Sequence, residues 1–465
     1  MMAVSVLDSR VFRDLFGTQQ MRDVFSDEAY VGRMIEVETA LARAQSKVGV
    51  IEASAGDALT KAVGQVKIDY EKLSADTEIV GYPVLPLIQQ LAAQTPAEVA
   101  RYIHWGATTQ DIMDCASQLQ MRQGLAIVRA GLGDLAQTLR RLSERHRDTP
   151  MAGRTHLQHA LPCTFGYKCA VYLSGIARHL ERLGEIERRC LLVQFGGAAG
   201  TLASLGAASG DGVRVRAALA EELGLRDAPV TWHSVRDNVA EVLNFLALVG
   251  GSLGKIAYDM IVMSSSEVGE VSEPFVAHRG ASSTMPQKRN PISSELVYAA
   301  SKLLRSNAAL GLDAMVVDFE RASGPWHLEW AAIPSAFVLA AGSLHQTQFA
   351  LNGLVVNTGR MMENLGSTRG LIVGEAVMMA LAPHLGRQGA HDIVYEACKE
   401  AIESGKLLID ALKTRPQVME CFSQERLADV CNPTKYFGAS QLMVDDMLRI
   451  TGGLAKGVNG VNGGC

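Results

Sequence analysis

The stretch VRDNVAEVLNFLALVGGSLGKIAYDMIVM, residues 235–263, sets Val235, Val239, Val242, Leu246, Val249, Leu253, Ile256, Met260 and Met263 at alternating steps of four and three. That spacing keeps one apolar stripe on one face of an α-helix for four heptads, a rod of roughly 40 Å at the usual helical rise. A second seam runs through Met121, Leu125, Val128, Leu132, Leu135, Leu139 and Leu142. A third helix is predicted over SSELVYAASKLLRSNAALGLDAMVV, residues 293–317, with Ser293 or Ser294 as its cap. Several long helices of this periodicity predict an all-α chain built on a helical bundle, with few and short strands. Gly250, Gly251 and Gly254 weaken the first helix but permit close helix–helix approach. The seam serves packing within one chain or between copies.

The bulk numbers bound what surrounds the bundle. The chain has 465 residues, 48% hydrophobic and 20% charged, which suits a globular protein of two or three domains and not a disordered one. A net charge of −5 advertises neither nucleic acid nor an anionic membrane as partner. Eight cysteines show no CxxC or Cys/His metal spacing and read as scattered reduced thiols, which together with the absence of a signal-peptide core predicts a cytoplasmic protein. No uninterrupted apolar run of about 18 residues predicts a membrane span. The reading divides the chain into a mainly helical region 1–110, a long-helix region 111–355 and a smaller helical region 356–465 ending in a glycine-rich tail.

Four polar clusters interrupt the helical pattern. HWGATTQD, residues 104–111, offers the hydroxyls of Thr108 and Thr109 and the amide of Gln110, able to hold a carboxylate or to cap the helix that follows. GRTHLQHALP, residues 153–162, holds His156 and His159 three apart, one helical turn, beside Arg154 and Thr155; this favours acid/base work or anion binding over metal, for which no third ligand is evident. QFGGAAGTLASLG, residues 194–206, lacks the GK[ST] of a phosphate loop and reads as a tight interhelix turn. GASSTMPQKRNP, residues 280–291, cannot be helical through Pro286 and Pro291 and is a mobile loop within 274–291, rich in hydroxyls and fixed positive charge, suited to closing over an anion.

The last cluster resembles the signature of the fumarase/aspartase superfamily, roughly G-S-S-x-M-P-x-K-x-N-P. HWGATTQD and GRTHLQHALP resemble that family's first and second regions, in order, so the resemblance covers nearly the whole chain. In texture it is most similar to the branch of 3-carboxy-cis,cis-muconate cycloisomerase and adenylosuccinate lyase. The resemblance implies a three-domain fold, a homotetramer with a core of about twenty helices, and active sites shared by three subunits. It implies a polycarboxylate substrate and neither metal nor organic cofactor. By the same resemblance Ser282 is the base, with Ser283 and Met285 beside it. Lys288 and Asn290 bind carboxylates, helped by Thr108, Thr109 and Gln110; His156 serves the leaving group and Glu295 orients it. Arg154, Thr155, His159 and Arg236 join the binding set. Val235 stands where lyases acting on adenylosuccinate usually carry a glutamine, and ASGPWHLEW replaces their phosphate-holding segment. His156 is the lyase-like residue, so a carbon–nitrogen lyase releasing fumarate stays open beside the cycloisomerase.

Overall fold

The computed structural model describes residues 4–206, 210–321 and 324–453. Long helices dominate: Thr109–Arg145, Phe165–Cys190, Asp237–Met263, Ile292–Asp313 and Pro325–Asn352. Among the described residues the strands are short, a hairpin of Pro150–Thr155 with Gln158–Thr164 and a two-residue pair, Val271–Ser272 with Val355–Val356. The chain groups into two compact units, one of residues up to Gly131, His179–Leu253 and Ala299–His345, the other of Leu132–Arg178, Gly254–Tyr298 and from Gln346 on. Every passage from one unit to the other falls inside one of the five long helices.

In the first unit two helix pairs meet through glycine. A Cβ on Gly250 would lie 2.5 Å from Leu304, and one on Gly311 would lie 2.6 Å from Leu243. Those contacts run in opposite chain directions one heptad apart, so Asp237–Met263 and Ile292–Asp313 pack antiparallel. Gly124 meets Phe337 and Gly131 meets Leu344 in the same chain direction, so Thr109–Arg145 and Pro325–Asn352 pack parallel. Bare glycine lets each leucine or phenylalanine seat against helix backbone. Gly251 meets nothing within 4 Å, so of the glycines expected to permit close approach it does not serve that role.

The predicted seams are buried from Val239 to Met263 and from Met121 to Leu142. Val235 is the exception: the helix starts at Asp237, and Val235 is 58% exposed. An 18-residue window of that helix reaches a mean hydropathy of 1.5, enough by length and composition for a membrane span; its apolar stripe is packed within protein instead. Ser293 and Ser294 do not cap the third helix. It begins at Ile292, and the Glu273 carboxylate accepts the Ser293 and Ser294 amides at 3.2 and 2.8 Å. A carboxylate from outside the helix does better there, since it satisfies two orphan donors and complements the positive helix end.

The second unit carries a further core among the C-terminal helices, where Val377, Leu381, Leu408, Leu412, Val418 and Leu427 are buried together. Its long helix, Gly374–Ser404, is two helices broken at Gly386 (φ 71°), a left-handed conformation open to glycine. Close packing at Gly250 predicts that Gly250→Val costs about 1–3 kcal/mol through overpacking. Gly251→Ala should be neutral or stabilising by up to about 1 kcal/mol through helix propensity. Urea denaturation midpoints at unchanged m-value check both.

Candidate active site

In the first unit the site begins where Thr109–Arg145 starts. Asp111, at the third helical position, accepts the Thr108 amide at 3.0 Å, one half of a capping box, with aspartate in the place of the usual glutamate. Both carboxylate oxygens also serve a distant segment: Asp111 accepts the Gly196 and Gly197 amides, each at 2.9 Å, and faces His233 Nε2 at 2.7 Å. The glycine-rich turn 194–206 is therefore a nest of backbone donors around a protein carboxylate, and glycine is needed because a Cβ on Gly196 would meet Thr231 and His233 below 3 Å. Thr108 and Thr109 stay partly exposed, and their hydroxyls are free of protein partners among the described residues. Gln110 is held otherwise than expected. It is fully buried and donates to the His233 carbonyl at 3.0 Å.

Arg236, expected to bind substrate, is buried at the centre of an ion-pair network. It donates to both oxygens of Asp114 at 2.8 and 2.9 Å and to both of Glu329, with Trp232 stacked 4.9 Å from its charge. Four of its five N–H groups are thus committed, and an arginine this fully paired holds elements together. Burial pushes the Glu329 carboxyl upward, against the pull of Arg236.

The loop ahead of Thr108 is fastened by His104, whose amide and Nδ1 both reach Glu38, at 2.9 and 2.7 Å. His104 adopts φ 59°, uncommon for a non-glycine residue, so the bonds to Glu38 fix a conformation the chain alone would not choose.

In the second unit, GRTHLQHALP is a hairpin and not a helix. Arg154 pairs with His159 and Thr155 with Gln158, leaving His156 and Leu157 as the two turn residues, both with positive φ (52° and 61°). Two such residues make a primed turn, usually Asn-Gly, so the three-residue spacing does not stack the histidines on one helix face. His156 and Thr155 are exposed near the tip, and His156 lines a cavity of about 320 Å³ with Arg154, Lys168, Lys255, Tyr258 and Asp259. Arg154 is bidentate to fully buried Glu270 at 3.0 and 2.6 Å, and Asn364 donates to the same carboxylate at 2.8 Å. Burial, then the Arg154 charge, lower the pKa of His159.

The signature loop closes on itself. Asn290 donates twice to the Gly280 carbonyl, from backbone and side chain, each at 3.1 Å. Gly280 (φ 68°) must be glycine, since a Cβ there would come within 2.5 Å of the Asn290 carbonyl oxygen. Inside this noose Ser282 Oγ accepts the amides of Thr284 and Met285 at 3.3 and 3.0 Å. Ser283, Met285, Lys288 and Glu295 are exposed, and the Lys288 ammonium makes no ion pair among the described residues. Arg289 lies 4.6 Å from the Phe275 ring centre. Arg279 ties the loop base to Ser293 (2.6 Å) and Gln346 (2.7 Å).

Sequence reasoning passed over Glu38, Glu270, Glu273 and His233. Only Asp111 left a local signal, the T-x-x-D cap pattern; the others act on partners tens of residues away. Among the described residues no three or more His, Cys, Asp or Glu side chains are grouped to hold a metal ion.

Residues 16–303 match the family model described as lyase, and residues 370–447 the one described as adenylosuccinate lyase C-terminus. The chain is 43% identical to trans-aconitate decarboxylase 1 of Mycosarcoma maydis over 94% of its own length and 88% of that protein's. It is 40% identical to the 3-carboxy-cis,cis-muconate cycloisomerase of Acinetobacter baylyi over 96% of its length and the whole of that protein's. The crystal structure of a fumarate lyase from Mesorhizobium sp. BNC1 superimposes with a TM-score of 0.88 at 50% identity, covering 93% of this chain and 98% of that one.

Burial lowers the His104 pKa, but the hydrogen bond and charge of Glu38 leave it above the ordinary 6.5. Stability from a raised histidine is fully present below the unfolded pKa and lost as pH rises through the folded one. The stability difference between wild type and His104→Gln should therefore be largest near about pH 6 and shrink toward about pH 9. Urea titrations across that range measure it, and a difference that grows with pH would rule out the pairing.

Proposed function

This chain belongs to the fumarase/aspartase superfamily of lyases and cycloisomerases, and from that premise we propose that it removes a proton beside a carboxylate of a polycarboxylate, most like a 3-carboxy-cis,cis-muconate cycloisomerase. The observation that carries the reading is Ser282 Oγ, already accepting two backbone amides inside a closed noose. Serine is a poor base in water. Two fixed N–H donors and Lys288, which makes no ion pair among the described residues, stabilise its alkoxide, and bonds to an ionised acceptor are roughly twice as strong as neutral ones.

Ser282 takes the proton from the carbon next to the carboxylate, and the C–H electron pair moves into that carboxylate as an aci-carboxylate. Lys288, Asn290 and the hydroxyls of Thr108 and Thr109 hold the growing charge. The bond from the neighbouring carbon to its substituent then breaks, and His156, oriented by Glu295, supplies the departing group's proton; run backwards, the same steps close a lactone. His156 at a hairpin tip and Thr109 at a helix start suit a homotetramer in which different subunits supply the parts of each site, each within the three-domain arrangement of the family. The reading also places the enzyme in the cytoplasm.

A second reading has a specific support, the 50% identity to a fumarate lyase: cleavage of an N-substituted aspartate or nitrosuccinate-type compound to fumarate. Two assays separate them, loss of ultraviolet absorbance from 3-carboxy-cis,cis-muconate and mass-spectrometric detection of adducts formed from fumarate with amines. In whichever reaction proceeds, Ser282→Ala should lose about 10²–10⁴-fold in kcat, the usual worth of a general base, with unchanged helical circular dichroism. Near-normal turnover would remove Ser282 as the base. Sedimentation of the active enzyme as a monomer would remove the shared site.

A further inference from the structure

The hydrogen bonds of Ser282 can be counted one by one. Its Oγ accepts the amides of Thr284 at 3.3 Å and of Met285 at 3.0 Å. The Thr284 hydroxyl lies 3.4 Å from the same oxygen. A serine hydroxyl has two acceptor lone pairs and one proton to donate. The two amides fill both lone pairs, so the proton is what remains. Among the described residues Thr284 Oγ1 is the one acceptor bonded to Ser282. In the neutral state Ser282 therefore donates to Thr284.

Loss of the serine's proton reverses that direction. Hydroxide takes the proton as water, and the alkoxide left behind has nothing to donate and a further lone pair to fill. The Thr284 hydroxyl makes no other hydrogen bond among the described residues, so it turns and becomes the donor. Bonds to an ionised acceptor are about twice as strong as neutral ones, so the reversal favours the alkoxide. A separation of 3.4 Å is long, and catalytic hydrogen bonds commonly tighten once a ligand is bound.

The backbone around this pair is fixed without the Thr284 side chain. Met285 is held at both ends, its amide on Ser282 and its carbonyl accepting the Lys288 amide at 3.1 Å. Pro286 follows and narrows the conformations open to Met285 further. Removing the Thr284 hydroxyl thus leaves both amide donors in place.

We propose that Thr284 is a positioning residue for Ser282: its hydroxyl accepts the serine's O–H in the resting state and donates to the alkoxide in the reactive one. The inference rests on the reading of Ser282 as the base. Thr284 stands at the position the family signature leaves open between its serines and its methionine. The third donor is therefore a property of this chain, and it sets how readily its base ionises.

The test uses the full-length protein and reads Ser282 in two ways. The first is kcat and KM from about pH 6 to about pH 10 in whichever of the two proposed reactions proceeds. Turnover should rise with pH as the alkoxide forms. Thr284→Val keeps the backbone amide and the branched shape and deletes only the hydroxyl. It should lower kcat about three- to tenfold on that rising limb, equivalent to moving the limb up by about 0.5–1 pH unit, with KM unchanged. Thr284→Ser, which restores the hydroxyl, should return kcat to within about twofold of wild type. The second reading needs no substrate. A serine alkoxide attacks an arylsulfonyl fluoride, the O–S bond forming as fluoride leaves, so mass spectrometry of the peptide holding Ser282 follows its activation. Labelling in Thr284→Val should be slower than in wild type by about twofold or more, and Thr284→Ser should restore it.

Where a reaction proceeds, kcat decides; where neither does, labelling decides. A wild-type rate in Thr284→Val, a loss carried by KM, or a loss that Thr284→Ser does not restore overturns the proposal, as does a wild-type Ser282 that labels no faster than Ser283. The base itself is read separately: near-normal turnover in Ser282→Ala counts against that reading, whatever Thr284 does.

Discussion

The Asp111 carboxylate, buried at 1% exposure and ringed by the Thr108, Gly196 and Gly197 amides and by His233, is the interaction on which the first unit's chemistry depends. A carboxylate removed from water is tolerable only when its lone pairs are filled, and here backbone donors from two segments far apart in sequence fill them. The consequence is positional. The same group caps the helix, fixes where it starts and clamps the glycine turn against it, so Thr108 and Thr109 are presented at a set place. One turn on, Asp114 repeats the device with Arg236 and, through Arg236, with Glu329. Breaking such a buried pair costs about 3–5 kcal/mol, so the start of this helix is among the least yielding parts of the fold.

The second unit follows the opposite economy. Its candidate site residues sit on a hairpin tip and a loop, and rigidity is imported from below: Glu270 holds Arg154, Glu273 holds the helix that follows the loop, and Arg279 fastens the loop base. Loops carry function when a scaffold positions them. The noose from Gly280 to Asn290 lets the Ser282 region keep its local hydrogen bonds while its outer face stays exposed to a ligand. Positive φ at His156 and Leu157 marks an uncommon turn conformation that leaves both side chains exposed.

Much of this was legible in the chain. Apolar spacing of four and three located the two long seams to within a residue or two, because burial of a helix face depends on period alone. Val235 matched the period but not the helix, which starts at Asp237 beside Arg236 and its partners Asp114 and Glu329. The loop 280–291 was recognisable because its prolines, glycine and charges exclude other structures. His156 and His159 were found as residues and misread as geometry, for a spacing of three is silent about whether the backbone is a helix or a tight hairpin.

Sequence by itself thus determined the helical class and the family, each of which follows from local spacing and residue type. Tertiary structure alone decided which polar residues are available and which are consumed. Thr109 and Gln110 are adjacent in sequence, yet the Thr109 hydroxyl has no protein partner among the described residues and Gln110 donates to the His233 carbonyl. Arg236 and Lys288 are both cations in polar clusters, yet one is saturated by Asp114 and Glu329 and the other has no ion pair among the described residues. Those outcomes depend on partners roughly a hundred residues away, and no local pattern encodes a partner that only folding brings within about 3 Å.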